Sequence, residues 1–227
     1  MRMKGLLWGD IVFQYKYGFY FLYTILTVFY IGVAITLPQS WREKIVILMI
    51  FTDPAAMGLF FMGAIVLFEK SQKVLDSLAV SPVKPIEYVV SKLLSLAFIS
   101  TSAGLAIAMA SGLPVNLFTL TISLFCSSCL FSSFGLIIAA KATTLNRFIL
   151  ATIPIEITVM FPAVGYLFGW RPIWGLVHPG VCMMEVCLQG SFVPVAFGIL
   201  FGWTVLFLFF ALAVIRAMLQ SVGGVAL

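Results

Sequence analysis

Charge is what this sequence has least of. Acidic and basic residues make up 9% of its 227 residues, against about 25% in ordinary soluble domains. With 63% of the chain hydrophobic, there are too few charges to coat a soluble core, which excludes the soluble globular class and leaves an integral membrane protein. The net charge of +5 is small and dispersed, which argues against a nucleic-acid partner. Histidine occurs once, at His178. One histidine cannot build a metal site, and with two distant carboxylates it is a poor constellation for an intramembrane enzyme acting on lipid. No Gly-Lys pair occurs anywhere, so the chain cannot cradle ATP phosphates in a Walker A loop. If ATP drives this protein, another polypeptide binds the ATP and its magnesium. No cleavable signal peptide is expected, because the first 16 residues are too polar for a signal core.

What is there is hydrocarbon in long runs. Six apolar stretches, near 17–37, 45–68, 89–111, 117–140, 149–169 and 192–215, each approach the ~20 residues needed to cross a bilayer as a helix. They lack the alternation of a membrane β-barrel. The connections then fall on alternate sides. One side takes Arg2, Lys4, Lys16, Lys70, Lys73, Lys84, Lys92, Lys141, Arg147 and Arg216, and the other takes only Arg42, Lys44 and Arg171. Positive residues stay cytoplasmic, so both termini are expected inside, in the cell membrane. The fold expected is all-α integral membrane, one transmembrane domain over 1–227 with six spans.

The scarce charge is concentrated. "FEKSQKVLDSLAVSPVKPIEYVVSKLL", residues 68–94, holds seven of the 21 acidic and basic residues. The spacing predicts a short amphipathic helix over 69–80, with Val74, Leu75, Leu78 and Ala79 on one face and a Glu69–Lys73 pair on the other. Pro82 pushes Ser81 out of the helical region. Pro85 suits the first turn of a new helix, with Glu87 on the favourable side of its dipole. The pattern is a helix, a rigid corner and a second helix feeding the membrane. A loop resting on lipid headgroups fits it as well as a docking element for a soluble partner does.

The same stretch resembles the loop after the second span of ABC-2-type transporter permeases. Glu69, Leu75, Asp76, Leu78, Ser81, Pro82, Val83, Glu87, Tyr88, Lys92, Leu93 and Leu94 carry the likeness, while Lys73 and Val74 stand where Gly-Thr is common. "YKYGFYFLYTILTVFY" and "FTDPAAMGLFFMGAIVLFEKS" look most like small permeases of the fluoroquinolone-export type. The resemblance implies a dimer, homomeric or heteromeric, on cytoplasmic ABC ATPase subunits. It implies an amphipathic elbow helix in 1–16, a coupling helix in 69–84, and an outer helical connection in 170–191. It also implies that Glu69, Lys73, Leu75, Asp76, Leu78, Ser81, Pro82 and Glu87 serve the coupling.

Two carboxylates fall inside spans, where they are costly and often functional. Asp53 lies about 12 Å along the second span and precedes Pro54; it reads either as a group bonded to Thr52 and freed backbone, or as a pathway residue. Glu156, seven residues into the fifth span, lies between Pro154 and Pro162, which predicts a bent or interrupted helix. It reads either as a pathway residue or as a partner of Lys141 or Arg147. Small residues at four-residue spacing (Ser100, Gly104 and Ala108; Ser128 and Ser132; Gly165 and Gly169; Gly198 and Gly202) predict close helix packing. Cys126 and Cys129 form C-x-x-C within an apolar run, without further ligands. Cys182 and Cys187 allow a disulfide, with poor geometry if the segment is helical. His178 reads as a turn or cap residue. In the outer connection, short helices dipping into the interface are expected, with Trp170 and Trp174 at headgroup level and Glu185 facing either an exit route or water. The function expected is the permease subunit of an ATP-driven exporter of an amphiphilic drug, lipid or similar hydrophobic molecule. The alternative is a proton-coupled secondary transporter using Asp53 or Glu156.

Overall fold

The computed structural model describes residues 2–52 and 57–222, all of whose regular structure is helical. Ten α-helices follow in order. They are α1 (Arg2–Lys16), α2 (Phe19–Thr36), α3 (Gln39–Ile50), α4 (Met57–Ser71), α5 (Val74–Ala79), α6 (Pro85–Ser111), α7 (Leu117–Lys141), α8 (Leu145–Leu167), α9 (Pro179–Cys187) and α10 (Val193–Val222). A short 3-10 helix, Ile173–Val177, precedes α9.

Five of these, α2, α6, α7, α8 and α10, are long and apolar enough to cross a membrane. The second expected span, 45–68, is carried instead by α3 and α4, of 12 and 15 residues. Asp53 lies outside the described residues.

The helix ends follow local chemistry. Asn116 caps α7, its side-chain oxygen accepting from Phe118 N at 3.0 Å and Thr119 N at 3.3 Å. Helix α6 stops at Gly112, whose φ of 67° is a left-handed position that glycine fills without a Cβ penalty. Arg42 donates to carbonyls at the end of α2, Ile35 O at 3.2 Å and that of the C-cap Leu37 at 3.1 Å.

Helix α7 is the hub, packed against α4, α6 and α10. Small residues make this possible where lipid supplies no hydrophobic drive between helices. A Cβ on Gly135 would sit 2.2 Å from the Leu59 carbonyl oxygen, and one on Gly58 would sit 2.6 Å from Ser132 Oγ. The Phe148 ring lies against Gly63. Among the expected small-residue pairs, Ser128 and Ser132 meet Gly58, and Ser100 bonds Tyr23 Oη at 3.0 Å. Gly198 and Gly202 face open space within this chain. Gly135→Ala therefore places a methyl into backbone, and is expected to cost about 1–3 kcal/mol or more. Gly198→Ala should leave the melting temperature in detergent unchanged; equal melting of the two variants would contradict the close α4–α7 approach.

Two expectations about α8 and the outer connection are corrected. Helix α8 runs unbroken through Pro154 and Pro162, so of the bent or interrupted helix expected there the interruption is absent. The proline at 162 has no N–H for the Thr158 carbonyl, and the His178 ring bonds Thr158 backbone instead. Burial lowers the His178 pKa, and that bond partly offsets it. Helix α9 lies within the protein rather than on its surface. All nine of its residues are buried, packed on α7, α8 and α10, while Trp170 and Trp174 remain exposed and stack edge to face. Glu185 faces neither water nor an exit route. It is buried, accepting from Tyr166 Oη at 2.6 Å and from Phe192 N at 2.8 Å, and so ties α8 to the start of α10.

Cys182 and Cys187 are free thiols, with Cys182 Sγ donating to Leu176 O at 2.9 Å. Burial is the main cause pushing both up to about 12. Both therefore stay protonated and unreactive well above neutral pH. Maleimide at pH 8 is expected to leave both unlabelled in the folded protein and to label both after denaturation. Rapid labelling of the folded protein would contradict this packing.

Candidate functional site

The charged stretch forms a corner where several helix ends meet. Helix α4 continues through Ser71, so the expected helix over 69–80 is shorter than its pattern. It is confined to Val74–Ala79, after a turn in which Lys73 takes φ 57°. The Leu78 carbonyl anchors the exit: Ser81 N and Ser81 Oγ both donate to Leu78 O, at 3.1 and 2.8 Å. Pro82 follows on the surface. Helix α6 then starts at Pro85, with Glu87 Oε2 accepting from Lys84 N at 2.9 Å, as Pro85 and Glu87 predict.

Glu69 does not face a partner. It is buried in the last turn of α4 and bonds the Lys92 ammonium of α6. Tyr88 Oη donates to its other oxygen at 2.7 Å. The same Lys92 reaches Asp10 of α1 at 2.5 Å, and Ser91 Oγ donates to Asp10 as well. One turn on, Gln14 Nε2 donates to Ser95 Oγ at 2.8 Å. A single buried cation thus holds carboxylates from two other helices. Each carboxylate also takes a hydroxyl donor, which a buried charge requires if it is not to destabilise the fold.

The residue after Glu69 fastens a fourth helix. Lys70 Nζ donates to the carbonyls of Ala139, Ala140 and Ala142 at 2.7, 2.8 and 3.0 Å. These are the last acceptors of α7, where the helix dipole favours a cation. Helices α1, α4, α6 and α7 are therefore clamped together at one end, within a few residues of α5.

Helix α5 projects from this clamp with two faces. Leu75 is buried and Leu78 half-buried, and the helix packs on α4 and α10. Lys73, Asp76 and Ser77 are exposed, and Val80 is 84% exposed. Sequence reasoning did not single out Val80, Asp10 or Lys92 as site residues. An apolar side chain at the end of a short polar helix is the signal that marks Val80. For Asp10 and Lys92 no local signal exists, because their partners lie 82 and 23 residues away.

Glu156 is near the middle of α8, half-buried, and joined to neither Lys141 nor Arg147. Close by, Phe134, Pro154, Val159, His178, Trp203 and Phe207 line an apolar groove of about 340 Å³.

No family model matches the chain. Two curated proteins called fluoroquinolones export permease proteins, from Mycobacterium tuberculosis strains CDC 1551 / Oshkosh and ATCC 25618 / H37Rv, are each 27% identical over 151 residues. The match covers 65% of this chain and 64% of each relative, slightly under two thirds of their length. The chain is a multi-span membrane protein and a distant relative of these two.

Proposed function

We propose that the chain is the permease subunit of an ATP-binding-cassette exporter, a six-span domain in the cell membrane with both termini in the cytoplasm. A separate ATPase powers it, and a second permease subunit completes the pathway. Helices α3 and α4 together form the second span. The cargo is an amphiphilic drug, lipid or similar hydrophobic molecule, because the spans offer few polar groups to grip a hydrophilic one. The chain performs no bond chemistry of its own.

The observation that carries this reading is the buried Asp10–Lys92–Glu69 network at the root of α5. Without such a clamp, a push on α5 would bend the corner. With it, the push moves α1, α4 and α6 as one body. The exposed face of α5, with Lys73, Asp76, Ser77 and Val80, is the surface on which the ATPase presses. Leu75, Leu78, Ser81, Pro82 and Glu87 hold α5 at a fixed angle, and Glu69 acts from inside. The names of the two relatives point to export. The surplus of basic residues at the α5 end supports the cytoplasmic placement.

Co-purification with an ATPase encoded beside this chain tests the reading. Asp76→Lys with Val80→Asp is expected to abolish association while the protein still inserts and melts normally. Undiminished association would remove the coupling role of α5.

Glu156, half-buried and without an ion pair among the described residues, favours a second reading, proton-coupled transport. That reading requires transport to survive ATP depletion and to be lost in Glu156→Gln.

A further inference from the structure

The end of α10 and the start of α6 enclose a groove of about 640 Å³ that the coupling reading does not use. Its polar rim is made by Lys84 and Arg216, and its walls by Ile86, Phe209, Leu212 and Ala213. A second hollow of about 300 Å³ continues it past Arg216 toward Val83 and Leu219. Neither is lined by a carboxylate among the described residues. The nearest acidic group in sequence, Glu87, already accepts from Lys84 N. Lys84 and Arg216 are exposed and take no ion pair among the described residues.

The arrangement is graded. Arg216 lies near the end of α10, and Phe209 lies two turns deeper, about 10 Å along the helix axis. Phe209 and Ile86 are both more than half exposed, so the apolar wall is open to the bilayer side. A ligand filling this space needs negative charge at the rim and hydrocarbon below it, in that order and at about that separation.

We propose that this groove seats one anionic phospholipid, with its phosphate held by Lys84 and Arg216 and an acyl chain laid along Phe209, Leu212 and Ala213. Basic side chains at a membrane surface favour anionic over zwitterionic headgroups. A choline headgroup would bring a third cation to the rim. The seated lipid would brace α10 against the corner on which α5 is mounted. The proposal stands on the groove alone and does not depend on an ATPase partner.

Native mass spectrometry of the purified full chain in detergent tests it, with phosphatidylglycerol, phosphatidylcholine and glycerol phosphate as probes. The wild type is expected to retain one phosphatidylglycerol, and to hold phosphatidylcholine and glycerol phosphate far more weakly. Lys84→Gln with Arg216→Gln should weaken phosphatidylglycerol about thirtyfold, the effect of two lost cations at a charged lipid surface. Lys84→Arg with Arg216→Lys should keep it. Ala213→Trp, which fills the acyl path and leaves both cations, should weaken it too. Equal phosphatidylglycerol affinity in the glutamine double variant overturns the proposal. So does glycerol phosphate binding as tightly as the lipid, which would make this a plain anion site. Loss of ATPase association in that variant with lipid retention unchanged would assign the groove to a protein partner instead.

Discussion

Lys92→Met is expected to remove about 3–5 kcal/mol of stability, the usual cost of breaking a buried pair from one side. The lysine is 2% exposed and serves two carboxylates at once. Without it, Asp10 keeps the Ser91 hydroxyl and Glu69 the Tyr88 hydroxyl, and neither keeps a cation among the described residues. Against a total stability of roughly 5–15 kcal/mol, such a loss should lower the melting temperature in detergent severely or prevent purification. The compensated variant keeps the test decisive. Asp10→Asn with Glu69→Gln and Lys92→Met removes all three charges, keeps acceptors for Ser91 and Tyr88, and should recover most of the loss, since neutral replacements of buried ion networks are often tolerated. A single Lys92→Met change costing under about 1 kcal/mol, the range of an exposed pair, would show that the clamp is not buried as described.

Asp76→Lys with Val80→Asp carries the second large effect. Both side chains are exposed, Asp76 on α5 and Val80 at its C-cap, so the fold should tolerate the changes within about 0.5 kcal/mol. The association is another matter. Val80, the C-cap of α5, is a large apolar group left on the outer surface there, and burying it fully against a partner is worth about 1.5–3 kcal/mol. Reversing the charge at Asp76 adds like-charge repulsion of several kcal/mol when desolvated. Together they should weaken binding of the ATPase by on the order of a hundredfold or more. Leu78 is unsuitable for this purpose, since it is half-buried against the core and its replacement would confound folding with binding.

What the sequence made legible was local. Pro85 and Glu87 marked the first turn of α6, and the backbone N–H of Lys84 does reach the Glu87 carboxylate. Five of the expected spans are present as single long helices, each long and apolar enough to cross a membrane. The failures come from interactions at long range. Glu69 and Lys73 are four apart and read as a surface pair, but Lys92 outcompetes Lys73 because burial strengthens its attraction. The turn at Lys73 follows from that choice: once Glu69 is held inward, α4 runs on to Ser71 and α5 starts late. Asp10 and Gln14 fall in the segment expected to be an elbow helix, and they are residues that bind α1 to α6. Glu185 misled for the same reason, since its partners Tyr166 and Phe192 lie on other helices. Pro154 and Pro162 predicted a bent or interrupted α8, and the helix is not interrupted; the His178 ring meets the Thr158 backbone beside Pro162.

The most direct measurement is transport of a fluorescent amphiphile in proteoliposomes containing this chain and the ATPase proposed to drive it. The account predicts ATP-dependent movement with the wild type, and none with Asp76→Lys/Val80→Asp despite normal insertion and melting. Wild-type rates from that variant, or transport that runs on a proton gradient without ATP and stops in Glu156→Gln, would contradict it.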